Sequence, residues 1–291
     1  MAQRKRHVHF RAFGMTDKGR VRKNNEDAFH IDKENGFFVV ADGLGGHAGG
    51  EIASGTAVAV GQKEVEALFA EVRDEDTLRE DALPANPEQA MTEVMNRANR
   101  AVYRKNSSVP TKAEGETGKM GTTFVCAKVW NGKMMIANSG DSRCYHLRSG
   151  NIIQLTEDHS PAEAMLQSGR MSGADKELAA LKRYVQGALG MNLAVEPDVT
   201  ISIPKRGDIY LLCTDGLTKM LEDEKISAAI LNERDIQKAG GRLIDMANAM
   251  GGRDNITVVL LQVTAVQTDS GKQKREGEDK EEGGEETIQD F

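Results

Sequence analysis

Acidic residues stand at the ends of short apolar runs in several parts of the chain. Six carboxylates share this placement: Glu26, Asp27, Asp42, Asp141, Asp215 and Asp254. Glycine adjoins three of the aspartates, which permits a sharp turn and lets a backbone carbonyl approach a bound ion. Since strand ends within one sandwich can converge on one edge, these carboxylates can come close together. Their repulsion would then be relieved by a hard divalent cation, Mg²⁺ or Mn²⁺, rather than by zinc.

An arginine lies close to the first of these acids. Arg22 precedes Glu26 by four residues, and a guanidinium group can bind phosphate through two parallel hydrogen bonds. Two cations about 3.5–4 Å apart with a bridging water would supply a hydroxide nucleophile and a phosphate clamp. For any single Asp-Gly pair the simpler interpretation is a surface turn. The whole set predicts metal-assisted phosphoester hydrolysis.

The apolar pattern around these acids predicts both strands and helices. The predicted strands are 28–31, 37–41, 122–130, 133–138, 143–147, 151–155, 209–213 and 256–263. The predicted helices are 51–69, a segment that Asn86 caps and Pro87 opens, 223–231 and 235–249. Asn131-Gly132 and Ser149-Gly150 are hairpin turns between antiparallel strands. Because the helices are segregated from these hairpins, the predicted class is α+β rather than a doubly wound sheet.

Three segments depart from this pattern. Residues 157–196 mix glycine, methionine and charge, and they predict an irregular, mobile insert. Residues 266–291 hold nine acids and four bases, account for most of the formal net charge of −7, and predict a disordered tail. Residues 1–12 are basic and predict a solvated arm that leads into the phosphate site. The arm lacks interleaved aromatic residues, so no nucleic-acid partner is predicted.

The composition suits a globular protein. The chain has 291 residues, 39% hydrophobic and 29% charged, which allows one large or two small domains. No apolar run is long enough to span a bilayer, and no secretory signal follows the first basic residues. Cys126, Cys144 and Cys213 are widely spaced in apolar contexts, which predicts buried, reduced thiols. The predicted location is the cytoplasm, and the predicted state is a monomer.

With these residues in place, the chain resembles the protein phosphatase 2C family, the PPM-type metal-dependent Ser/Thr phosphatases, in its bacterial form. The resemblance runs from about Gly14 to Val263. Its motifs occur in family order: 14–19 (GMTDKG) with 22–27 (RKNNED), 40–47 (VADGLGGH), 121–123 (GTT), 138–143 (NSGDSR), 156–160 (TEDHS), 213–217 (CTDGL) and 254–257 (DNIT). Each string is weak alone, but all of them in order are specific.

The resemblance implies a four-layer α-β-β-α sandwich, in which two antiparallel sheets are flanked by helices. It implies a phosphatase domain over 13–265, between the basic arm at 1–12 and the acidic tail at 266–291. Within that domain, the insert at 157–196 matches the family's flap beside the active site.

The resemblance also implies a binuclear metal centre with two Mn²⁺ or Mg²⁺ ions. Asp42 matches the residue that bridges the two ions. Asp215 and Asp254 match the ligands of one ion, while Glu26, through a water, and the carbonyl of Gly43 match those of the other.

Four further residues match positions around this centre. Asp141, with help from Asp215, matches the weaker third-metal site of bacterial relatives. Arg22 matches the residue that holds the substrate phosphate. Asp27 and Asn255 match positions that orient ligands or waters.

The chain departs from the family at one position. Several animal members have a histidine directly after the bridging Asp-Gly, proposed as the general acid, whereas this chain has Leu44. His47 is three residues further on and is better interpreted as a loop histidine. We therefore expect a metal-bound water, such as one on the third ion, to protonate the leaving group.

The function that this resemblance implies is a protein serine/threonine phosphatase that opposes a Ser/Thr kinase. Its partners would be phosphorylated proteins, among them substrates of that kinase or the kinase itself. A second hypothesis is a regulatory phosphatase with one dedicated phosphoprotein, such as a sigma-factor antagonist. A third is a pseudophosphatase that only binds, which the presence of Asp42, Asp215 and Asp254 disfavours.

Overall fold

A computed structural model of the chain describes residues 6–45, 49–71, 86–107, 119–160 and 187–268. The strands are β1 (Arg6–Asp17), β2 (Ala28–Asp32), β3 (Phe37–Ala41), β4 (Gly43–Leu44), β5 (Gly121–Thr122), β6 (Phe124–Trp130), β7 (Lys133–Ser139), β8 (Arg143–Arg148), β9 (Asn151–Gln154), β10 (Asp198–Ser202), β11 (Ile209–Cys213) and β12 (Ile256–Thr268). The helices are α1 (Gly49–Glu71), α2 (Pro87–Ser107), α3 (Asp215–Thr218), α4 (Asp223–Leu231) and α5 (Ile236–Ala249). Most of the predicted flap, the tail beyond residue 268, the first five residues and His47 lie outside the described residues.

Two five-stranded antiparallel sheets form the centre of the fold. The first has the strand order β1-β12-β11-β8-β9, and the second has the order β10-β7-β6-β3-β2. Helices α1 and α2 cover the second sheet, and α3, α4 and α5 cover the first. The predicted four-layer sandwich is therefore confirmed.

Strands β3 and β11 are apolar throughout because both of their faces are covered. In β3, Phe37 and Val39 pack against α1 and α2, while Phe38 and Val40 face the other sheet. Strand β11 repeats this arrangement, with Leu212 directed between the sheets. Side chains alternate across a strand, so burial on both faces requires an unbroken apolar run. Such runs made β3 and β11 predictable to the residue.

Strand β1 corrects the boundary that the sequence suggested at residue 12. Residues 6–12 pair with β12 as part of a twelve-residue strand, so they belong to the sheet and not to a solvated arm. Val8, Phe10 and Ala12 pack between the sheets. Their period of two was the available signal, and the basic residues between them obscured it.

The helix caps and the termini of the helices follow from local chemistry. Asn86 caps α2 as predicted, since its Oδ1 accepts a hydrogen bond of 2.9 Å from the amide of Gln89. Asp235 caps α5 in the same way through the amide of Gln237. Within the described ranges, no helix is long and apolar enough to cross a membrane.

The core between the sheets predicts a clear stability effect at Leu212, which is fully buried. Leu212→Ala leaves a cavity between two sheets that cannot close over it, so we expect a loss of about 2–5 kcal/mol in the free energy of unfolding. Urea unfolding followed by fluorescence measures it. Ile153→Ala is the control, because Ile153 is 58% exposed and its loss should cost little. Equal effects of the two substitutions would contradict this description of the core.

Candidate metal centre

The predicted site residues meet at one edge of the sandwich. Antiparallel pairing aligns the start of β2 with the end of β3, and the start of β12 with the end of β11. We call this edge the rim, and its strand ends are Ala28, Ala41, Ser139, Cys213 and Ile256. Each predicted carboxylate lies within two residues of one of these ends. Strand pairing therefore brings together acids that are far apart in sequence.

Asp42 is the residue on which the charges of the rim converge. Loss of hydration raises the pKa of its carboxyl well above the ordinary value, and the charges of Asp27, Asp215, Asp141 and Asp254 raise it further. Coulombic coupling of this kind requires short separations. Together with the strand pairing at the rim, these interactions place the acids around Asp42.

The backbone of Asp42 is held by two threonines of the predicted Gly-Thr-Thr motif. The Asp42 amide donates to Thr123 Oγ1 at 2.9 Å. Its carbonyl accepts from the Thr122 hydroxyl at 2.9 Å and from the Thr123 amide at 2.9 Å. Both peptide groups are therefore satisfied, and the side chain remains available at the rim.

Asp27 lies beneath the rim rather than on it. One of its carboxylate oxygens accepts hydrogen bonds from Thr257 at 2.6 Å and Thr214 at 2.9 Å. The other oxygen is buried and has no partner among the described residues. Burial raises the pKa of Asp27 to about 7, against the effect of the threonine hydroxyls and with help from Asp215 and Asp254. This placement fits the predicted orienting role.

Asp141 and Asp215 form a buried pair, 9% and 7% exposed. Burial and the neighbouring charge of Asp215 raise the pKa of Asp141 to about 7. In each residue one carboxylate oxygen is buried without a hydrogen-bond partner in the described part of the chain. The other oxygen of Asp215 contacts the ammonium group of Lys219.

Arg22 and Asp254 form an ion pair at the open side of the rim. The guanidinium Nη2 of Arg22 lies 2.8 Å from Asp254 Oδ2, and the Arg22 side chain is 51% exposed. Burial works against the charge of Arg22, but Asp254, Glu26 and Asp42 together raise its pKa. A permanently charged, half-exposed donor among carboxylates is well placed to receive an anion from solvent.

Asn255 connects the loops that carry Arg22 and Glu26. Its Oδ1 accepts from the Glu26 amide at 2.8 Å. Its Nδ2 donates to the carbonyls of Lys18 and Asn24, both at 2.9 Å. The side chain of Asn255 thus positions loops, and its predicted role in orienting ligands or waters stays a prediction.

Gly43 occupies a position where a side chain has no room. A Cβ placed there would lie 2.3 Å from the Gly50 carbonyl oxygen and 2.4 Å from that of Glu26. The backbone after Asp42 therefore approaches the start of α1 and the Glu26 loop closely. Burial raises the pKa of the Glu26 carboxyl, although Arg22 opposes the shift.

His159 holds the loop that carries Asp141. Its amide donates to the Gly140 carbonyl at 2.9 Å, and its Nδ1 faces the Gly140 amide at 3.4 Å. Its Nε2 lies 2.6 Å from the carboxylate of Asp198. Arg143 donates two hydrogen bonds to the carboxylate of Asp158, at 2.8 and 2.7 Å. Residues of the TEDHS motif thus hold the Asp141 loop in place through hydrogen bonds.

The donor set fits a hard divalent cation. It consists of carboxylate and carbonyl oxygens, and it includes the unpartnered oxygens of Asp141 and Asp215. Across the described ranges, no three acidic, histidine or cysteine side chains form a complete ligand group by themselves. Asp215 and Asp254 instead contact Lys219 and Arg22.

Comparison with known proteins decides the family. The family model for protein phosphatase 2C matches residues 10–165. The chain belongs to this family. It is 33% identical over 267 residues to the serine/threonine phosphatase stp of Listeria welshimeri, and the match covers 90% of this chain and 97% of that protein. The chain is therefore a phosphoprotein phosphatase.

Solved structures of protein phosphatase 2C relatives share the fold. The serine/threonine phosphatase PstP/Ppp of Mycobacterium tuberculosis matches with a TM-score of 0.72 and 29% identity, over 88% of this chain and 99% of that chain. A PstP catalytic domain in complex with two manganese ions matches with a TM-score of 0.67 and 32% identity, over 88% and 98%. The predicted fold and family are confirmed.

The individual ligand roles remain predictions in this protein phosphatase 2C chain. The structure places Arg22, Glu26, Asp27, Asp42, Gly43, Asp141, Asp215, Asp254 and Asn255 at or directly beneath the rim. Sequence reasoning missed Lys219 and the threonines at 122, 123, 214 and 257. The 121–123, 213–217 and 254–257 motifs contain all four threonines, whereas nothing singled out Lys219.

The raised pKa of Asp27 predicts a pH effect on the metal-free phosphatase. Between the ordinary pKa of 3.8 and about 7, the folded state binds more protons than the unfolded state. Stability should therefore fall as pH rises through this window. In EDTA, the melting temperature of the wild type should drop from pH 5 to pH 7.5, and Asp27→Asn should make the drop shallower.

Differential scanning fluorimetry across that range measures the effect. Asp245→Asn is the matched control, because Asp245 is exposed on α5, and it should keep the wild-type slope. An Asp27→Asn slope as steep as that of the wild type would show that Asp27 is charged throughout the range.

Proposed function

We propose that this phosphatase hydrolyses phosphoserine and phosphothreonine monoesters in proteins and opposes a Ser/Thr kinase. The observation that carries the proposal is the convergence of carboxylates on Asp42 at the end of β3, beside the half-exposed Arg22. The relatives named above as serine/threonine phosphatases, one of them solved with two manganese ions, support the same conclusion.

Asp42, Asp215, Asp254, Glu26 and the carbonyl of Gly43 would hold two Mn²⁺ or Mg²⁺ ions, with Asp42 between them. When bound, these ions would supply a hydroxide nucleophile and neutralise charge on the phosphate. The protein contributes the geometry, because threonine hydroxyls and strand pairing fix the ligand backbones before substrate arrives. A third, weaker ion would be held by Asp141 with Asp215.

Arg22 would orient the phosphate. Its fork of N–H donors matches two phosphate oxygens, and its exposure lets a phosphoprotein side chain reach it from solvent. In the free protein Asp254 keeps the guanidinium at the rim. A substrate phosphate would therefore meet a donor that is already in place, which reduces the entropy lost on binding.

The metal requirement predicts that hydrolysis of a phosphothreonine peptide depends on Mn²⁺ or Mg²⁺ and stops in EDTA. Asp42→Asn should lower kcat by more than about 100-fold, since it removes a shared ligand. The same change removes a charge that its neighbours repel, so the metal-free variant should melt no lower than the wild type. Steady-state kinetics and thermal melting measure the two effects. Activity that survives EDTA would refute the two-metal proposal.

The role of Arg22 predicts a specific kinetic change. Arg22→Lys keeps the charge but loses the fork, so the KM for a phosphothreonine peptide should rise about tenfold or more. Arg20→Lys, in the same loop, is the matched control and should leave KM unchanged. A rise of equal size in both variants would mean that the loop, not the guanidinium, binds phosphate.

A panel of phosphopeptides separates a general protein phosphatase from one with a dedicated substrate. Hydrolysis of many unrelated phosphoserine and phosphothreonine sequences supports the general function. Hydrolysis confined to one phosphoprotein would support a dedicated regulator instead.

A further inference from the structure

Lys219 places a positive charge inside the carboxylate cluster. Its amide donates to the Asp215 carbonyl at 2.8 Å, one helical turn back along α3. Its ammonium group contacts Asp215 Oδ2. The backbone and the side chain of Lys219 therefore both contact Asp215. The turn of α3 fixes the position from which the lysine side chain extends.

The charge of Lys219 reaches beyond Asp215. Burial works against the ammonium, yet the carboxylates of Asp215, Asp141 and Asp42 together raise its pKa. In return, Lys219 lowers the pKa of Asp141, against the larger effects of burial and Asp215. The lysine thus acts on both members of the Asp141–Asp215 pair, each of which has one unpartnered buried oxygen.

An ammonium group and a divalent ion cannot use the same carboxylate oxygens at once. The ammonium donates hydrogen bonds to the carboxylate lone pairs that a metal ion would need, and the two cations repel each other. The Lys219 side chain is 51% exposed, so its flexible stem can carry the charge out toward solvent.

We propose that Lys219 is an internal competitor of the third metal ion at the Asp141–Asp215 pair. This inference rests on the function proposed above, which assigns that pair to a third ion. The lysine partly offsets the charge of the pair when the ion is absent, and it weakens metal binding when the ion is present. Third-site occupancy in this chain then depends on Mn²⁺ concentration in a range set by Lys219.

An ordinary surface ion pair is the simpler interpretation. Exposed pairs spaced by four residues contribute little and have no effect on a distant ligand. Here one partner is a buried aspartate whose second oxygen is unpartnered in the described ranges. Removal of the lysine should therefore change metal affinity, which removal of a surface charge would not.

Titration with Mn²⁺ tests the proposal, with free Mn²⁺ counted by electron paramagnetic resonance and heats measured by calorimetry. Lys219→Met keeps the length of the side chain and removes the charge, while Lys219→Arg keeps the charge. Loss of one like charge should tighten the weakest class of Mn²⁺ sites about tenfold in Lys219→Met. Lys219→Arg should bind as the wild type does.

Asp141→Asn tests whether the weakest class of Mn²⁺ sites is the Asp141–Asp215 pair. Combined with Lys219→Met, it should abolish the tightened site and leave the stronger ions bound, which also shows that the variants are folded. Unchanged or weaker binding at the weak class in Lys219→Met, with the stronger sites intact, would overturn the proposal for Lys219 alone. Absence of Mn²⁺ binding in every protein, including the wild type, would overturn the two-metal function as well.

Discussion

Repulsion among the carboxylates at the rim is the constraint on which the rest of the structure depends. Burial and four neighbouring acids raise the pKa of Asp42, so the rim destabilises the folded protein whenever its acids are charged. The three apolar cores between the four layers of the sandwich must offset this cost. Central strands buried on both faces, such as β3 and β11, are therefore required by the site as much as by the fold.

Two polar residues beneath the rim, Thr123 and Asn255, hydrogen-bond the backbone of the acids rather than their carboxylates. Thr123 bonds the Asp42 peptide, and Asn255 bonds the Glu26 amide. An acid whose own backbone is fixed cannot relieve repulsion by moving away. Strain and preorganisation thus have the same origin, since the bonds that hold the acids together also hold them in the positions that cations would use.

Strand alternation and motif order made most of this protein predictable from its sequence. The apolar runs of β3 and β11 required burial on both faces, and the acids at their ends identified the rim. Strand β1 was missed because basic residues between Val8, Phe10 and Ala12 obscured their period of two. The hydrogen bond from Thr214 to Asp27 joins residues 187 positions apart, a relation that spacing does not contain. Lys219 was missed because α3, with four residues, is too short for a helical pattern.

Arg22 and Lys219, both cationic side chains at the rim, differ in a way that suits different tasks. Arg22 carries a planar fork on the open side, paired with Asp254, and it keeps its charge under all ordinary conditions. Lys219 is a point charge on a flexible stem, paired with the more deeply buried Asp215. A fork is suited to an anion that arrives from solvent, whereas a mobile point charge is suited to exchange with another cation. The formal net charge of −7 therefore says little about the site, where the arrangement of each charge decides what can bind.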